Sequence, residues 1–90
     1  MIVHVTQEQI ERGDKWDRTG PIALALAEEH GWNIAWVVWP NVAEYDPQSH
    51  KLKRFGRMPL WVQEWLQKKE QGTPVEPIEF EVLPLYQATY

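Results

Sequence analysis

Three histidines, a single serine (Ser49) and thirteen carboxylates are the residues of this chain that could move protons, attack a carbonyl or hold a metal. Their spacing gives them little to do. His4 falls on an expected strand, His30 at the end of an expected helix and His50 in an expected loop, so none has the H-x3-H or H-E-x-x-H spacing of a metal site. A cation is favoured at a helix C-terminus, which explains His30 without a ligand. Ser49 and His50 are adjacent, and adjacent side chains on an extended segment point apart, so they do not form a nucleophile–base pair. Glu28-Glu29 and the Asp14/Asp17 pair read as solvated faces. The five glycines are widely separated and build no phosphate loop. The sequence therefore predicts no catalytic residue, no metal, no cofactor and no enzyme.

Binding chemistry is better represented. Lys51, Lys53, Arg54 and Arg57 form a basic ribbon with Phe55 interleaved, able to contact phosphates while a ring stacks on a base. The bland reading of the same residues is an edge strand whose lysines discourage sheet-to-sheet pairing. Six tryptophans in 90 residues are the other resource. Each carries roughly 150–250 Å² that must be packed or offered to a partner. Trp16 and Arg18 share a polar loop and are anchor types of protein interfaces. Trp36 and Trp39 lie on opposite sides of one expected strand, so both are core only if both sheet faces are covered. Trp61 and Trp65 read as core.

The elements that must position these groups follow from pattern. Ile2–Val5 is a β-branched opening strand. Thr6 and Gln9 have the spacing of a capping box for a short helix over 7–12, with Gly13 expected to end it in the left-handed conformation. Pro21 opens a second helix, apolar all round, that stops at Gly31. Asn33–Trp39 is the strongest strand, apolar on both faces as if central or doubly covered. Glu44–His50 reads as a loop and Lys51–Met58 as a basic edge strand. Pro59 opens a third helix with Trp61, Val62, Trp65 and Leu66 as its apolar stripe. Ile78, Phe80 and Val82 alternate with Glu79 and Glu81 as a half-buried strand. The order β-α-α-β-β-α-β predicts a single α+β domain over 1–90. It has two layers: one sheet of about four strands, and helices on one face. With the long helices as crossovers it approaches a ferredoxin-like order. The tail 83–90 is apolar enough to dock, at no position the pattern defines.

Composition sets the context. With 43% hydrophobic and 24% charged residues the chain reads as an ordinary soluble domain. The longest uncharged apolar run, Gly31–Ala43, is too short and too broken by Asn33, Pro40 and Asn41 to span a bilayer. No cysteine is present, and no export signal opens the chain, which favours the cytoplasm. The net charge of −4 argues mildly against non-specific nucleic-acid binding.

Val5-Thr6, Ile10, Gly13, the run Pro21-Ile22-Ala23-Leu24-Ala25-Leu26, Trp61-Val62 with Trp65, then Gly72, Val75-Glu76-Pro77 and Phe80 resemble a group of small uncharacterised proteins from bacteriophages and some bacteria. The likeness spans roughly residues 3–82. Where that group commonly has a cysteine before the proline, Gly20 stands here. The resemblance implies a short phage-type protein in a bacterial host cell and transfers no activity. The expectation is a binding module that occludes a site on a host protein through Trp16, Arg18, Trp36 and Trp39. The alternative is nucleic-acid binding through Lys51, Lys53, Arg54, Phe55 and Arg57. No membrane partner is expected, and a homodimer is compatible with either.

Overall fold

The computed structural model describes residues 1–14 and 17–87. These form strands β1 (Ile2–Val5), β2 (Ile34–Val38), β3 (Asn41–Asp46), β4 (Lys51–Arg57), β5 (Ile78–Glu81) and β6 (Leu85–Gln87), with helices α1 (Gln7–Arg12), α2 (Pro21–His30) and α3 (Leu60–Glu70).

Helix α1 starts as its sequence dictates. The Gln9 N–H donates to the Thr6 hydroxyl at 3.2 Å, and the Thr6 N–H donates to the Gln9 side-chain oxygen at 3.0 Å. This reciprocal pair satisfies two donors at the helix start. Gly13 ends the helix, but at φ −65°, ψ 124° and not in the left-handed region expected. Its missing side chain serves packing instead: a Cβ there would lie 2.6 Å from the Pro21 nitrogen. Helix α2 does stop at a left-handed glycine, Gly31 (φ 67°), and buries Ile22 and Leu26 against the strands beside it.

The two-layer α+β class is the one the chain adopts, with its strands divided between two sheets. β1 and β5 pair as a two-stranded antiparallel sheet, and the larger sheet runs β2-β3-β4-β6. Every neighbouring pair in it is antiparallel; hairpins join β2, β3 and β4 in sequence order, and β6 returns beside β4 only after α3 and β5, so the strand order is not the ferredoxin-like one. Three local expectations are corrected. Glu44–Asp46 is not loop but the second half of β3. β4 is not at the edge over Arg54–Gly56, because the tail docks there as β6. β2 is not central but an edge strand, paired with β3 alone. Its free side is partly closed by the 17–20 loop, whose Asp17 carbonyl accepts the Val37 N–H at 3.2 Å.

The core gathers Ile22 and Leu26 of α2, Val37 and Val42 of the large sheet, Val62 and Leu66 of α3, and Phe80 of β5. Within the α3 stripe Val62, Trp65 and Leu66 are buried as expected. Trp61 is not: it lies half exposed at the margin, its ring edge-on to Phe80 with centroids 6.4 Å apart. Trp65 also ties down the chain beyond the helix, its indole N–H donating to the Glu76 carbonyl at 2.9 Å.

Candidate functional site

Strand alternation sorts the large sheet into two faces with different work. Ala35 and Val37 of β2 point into the core, while Trp36 and Val38 are exposed on the outer side. Cross-strand register carries that outer side across the sheet. Trp36 is opposite Ala43, Ala43 opposite Phe55, and Phe55 opposite Tyr86. Three aromatic rings thus stand in one row, Trp36 40%, Phe55 38% and Tyr86 52% exposed. Ala43 between them is small and lies beneath its neighbours, 4% exposed. Phe55 and Tyr86 stack on one another, centroids 5.0 Å apart and planes 28° apart. Leu52, opposite Tyr45 beyond a register shift, extends the apolar surface toward the far end of β4.

The basic ribbon divides between the two faces. Arg54 turns inward, and its Nε donates to Glu44 Oε1 at 2.8 Å. Glu44 is buried, its other carboxylate oxygen accepting the Asn33 N–H at 2.9 Å. The Arg54 guanidinium also lies over the Trp32 ring, 5.6 Å from its centroid. Arg54 is therefore occupied in holding a core carboxylate, a role that no pattern within the ribbon itself marks. Lys53 and Arg57 lie two residues either side of Phe55 and are exposed, Lys53 at the register shift. Lys51 pairs in register with Asp46 at the sheet's end.

The remaining candidates are dispersed. Trp39 lies on the inner side, partly buried against the core, and lines a shallow cleft of about 230 Å³ with Leu66, Gln67 and Glu70. Arg18 is exposed in the loop before α2, its backbone N–H donating to the Asp17 carboxylate at 2.6 Å. Trp16 lies outside the described residues.

One cluster went unnoticed in the sequence because it is assembled from three distant segments. The His4 ring on β1 bridges Glu29 of α2 through Nδ1 and Glu79 of β5 through Nε2, the latter at 2.7 Å. His30 joins it, Nε2 lying 3.3 Å from Glu29 and 2.7 Å from the Ile2 carbonyl. The hydrogen bond to Glu29 raises the His4 pKa above 6.5 against the pull of desolvation, and the charges of Glu29 and Glu79 add to the rise. Burial works to raise Glu29, but the His4 backbone N–H and imidazole outweigh it and hold the carboxyl below its ordinary 4.5. Arg12 first, then Gln9, likewise lower Glu28. The raised His4 value stabilises the fold fully below pH 6.5 and ceases to do so as pH rises through the folded-state value. The lowered carboxylates act oppositely, their contribution disappearing as pH falls through folded-state values below 4.5. Thermal unfolding followed across this range should show Tm declining as pH rises above 6.5, and His4→Gln should flatten that limb alone. An unaltered limb in His4→Gln would assign it to another group.

Among the described residues no group of three or more His, Asp or Glu side chains is placed to hold a metal ion. No helix among them is long and apolar enough to cross a membrane. Compared with protein-family models, curated proteins and solved structures, the chain finds no match.

Proposed function

We propose that this protein is a binding module, that its contact surface is the outer face of the β2-β3-β4-β6 sheet, and that it acts by covering a site on its partner and not by catalysis. The observation that supports this is the gathering of Trp36, Val38, Leu52, Phe55 and Tyr86, all exposed, on one side of one sheet. Together they expose on the order of 400 Å², the size at which an apolar patch on a small protein is commonly functional. Aromatic rings are the side chains that interfaces use as anchors. The sheet beneath holds them in register, so little conformational freedom is lost on binding. Occlusion needs no reactive group, in keeping with a sequence that shows no nucleophile–base pair.

This reading moves the contact surface from Trp39, which packs on the core, to Trp36 and Phe55. A tagged bait carrying Trp36→Ala with Phe55→Ala, compared with the unaltered chain in a bacterial lysate, tests it. Both side chains are partly exposed, so the double variant should retain a cooperative unfolding transition. Whatever the unaltered chain retains, protein or nucleic acid, should be lost from the folded variant. Equal retention by both would exclude this face as the contact surface.

A further inference from the structure

The face just described has a charge pattern that narrows its partner. The large sheet carries four cations, Lys51, Lys53, Arg54 and Arg57, and two carboxylates, Glu44 and Asp46, on a chain whose net charge is −4. The acidity of the protein thus lies elsewhere. Glu44 is consumed by Arg54 on the buried side. Asp46 is held at the sheet's end by the backbone of Gln48 and the hydroxyl of Ser49. Arg57, two residues after Phe55, shares its side, and Lys53, two residues before, is exposed at the register shift, where its charge acts on Asp46; among the described residues neither has an ion-pair partner within salt-bridge distance. Lysine is depleted in protein–protein interfaces, whereas cations flanking an exposed ring are what a chain of phosphates and flat bases requires. Trp36 and Phe55 are two strand spacings apart, about 10 Å, over the low floor of Ala43. The two rings close over Ala43, which is buried beneath them, and Tyr86 continues the row.

Resting on the reading of this face as the contact surface, we propose that its partner is single-stranded nucleic acid, bases stacking on Trp36, Phe55 and Tyr86 while Lys53 and Arg57 hold the phosphates. The register supplies a flat, open platform, which a duplex with its bases already stacked cannot use.

Fluorescence anisotropy of labelled oligo(dT), oligo(U) and a short duplex with the full chain, over a salt series, is the test. Binding of one or both single strands in preference to the duplex is expected, and which strand binds tighter separates DNA from RNA. Phe55→Leu should weaken binding about tenfold or more, and Phe55→Tyr should preserve it, so a general packing defect is distinguishable from a lost ring. Lys53→Gln with Arg57→Gln should reduce the slope of log affinity against log salt by about 1.4, or 0.7 per phosphate contact. Absence of single-strand binding at low salt, duplex binding as tight, or affinity indifferent to these variants would each overturn the proposal. If the oligonucleotides fail while a protein is still captured through Trp36 and Phe55, the partner class is wrong and the contact surface stands. If capture is also indifferent to those rings, both fail.

Discussion

Arg54→Ala should lower the unfolding free energy by about 3 kcal/mol, the lower end of the cost of breaking a buried ion pair. Glu44 is the reason. Its side chain is 2% exposed, and Arg54 is the one cation within salt-bridge distance among the described residues. Removing the guanidinium leaves a carboxylate in the core with a single backbone donor, the Asn33 N–H. The lower end applies because Arg54 is itself 29% exposed, so water weakens the pair from that side. Urea unfolding of the variant is the direct measurement. For a domain whose whole stability is about 5–15 kcal/mol, the transition midpoint should move conspicuously. A double variant, Glu44→Leu with Arg54→Met, should regain much of the loss, because an apolar pair of similar volume avoids the desolvation penalty. A shift under about 1 kcal/mol in Arg54→Ala would show that Glu44 reaches water. The outcome also bears on binding. Lost nucleic-acid affinity in an Arg54 variant would report unfolding, whereas Lys53 and Arg57 variants should unfold with the unaltered chain.

Gly56→Ala should destabilise by about 1–3 kcal/mol, the usual cost of overfilling a packed site, and should loosen the end of the aromatic row. Gly56 lies on the inner side of β4 opposite Leu85. A Cβ on it would stand 2.3 Å from a Val82 methyl and 2.8 Å from the Pro84 carbonyl oxygen. The methyl can rotate away. The carbonyl cannot move without carrying the 82–84 segment, and with it β6 and Tyr86. Adding Val82→Ala should therefore recover only part of the loss, a coupling measurable as a double-mutant cycle. Full recovery would mean that the methyl alone was the obstacle, and no loss at all would mean that β6 does not sit so closely on β4. Amide hydrogen exchange at Tyr86 should accelerate in Gly56→Ala, since its pairing with Phe55 depends on the same approach.

What the sequence disclosed and what it concealed divide along one physical line. Patterns written within a few residues were legible: the Thr6–Gln9 capping box, the stop of α2 at Gly31, the alternation that turns Trp36 and Trp39 to opposite sides. The inference that one of those two tryptophans must lie outside the core came from alternation plus a single helical layer, and Trp36 is that residue. Features closed by distant partners were not legible. Glu44–His50 reads as a loop because Asp46-Pro47 is a turn signal; that Glu44 is buried in a strand depends on Arg54 across the hairpin. His4 meets Glu29 and Glu79 across 25 and 75 residues of chain separation taken from β1 to α2 and β5. The row Trp36–Ala43–Phe55–Tyr86 needs three pairing registers before it exists at all. Trp61 shows the limit of a stripe: i, i+1, i+4, i+5 spans a wider arc than the core covers, and the residue at its edge is left half outside.

The bond from the Val37 N–H to the Asp17 carbonyl has a bearing on how the protein behaves when concentrated. Ile34–Val38 is five consecutive apolar residues on an edge strand, a composition that templates intermolecular strands and filaments. One outward amide in the middle of that edge is already taken by the protein's own loop. An incoming strand would have to displace the loop before it could continue the ladder, so growth along the edge is interrupted at its centre. The sheet thus exposes an apolar face while part of its margin is closed to an incoming strand.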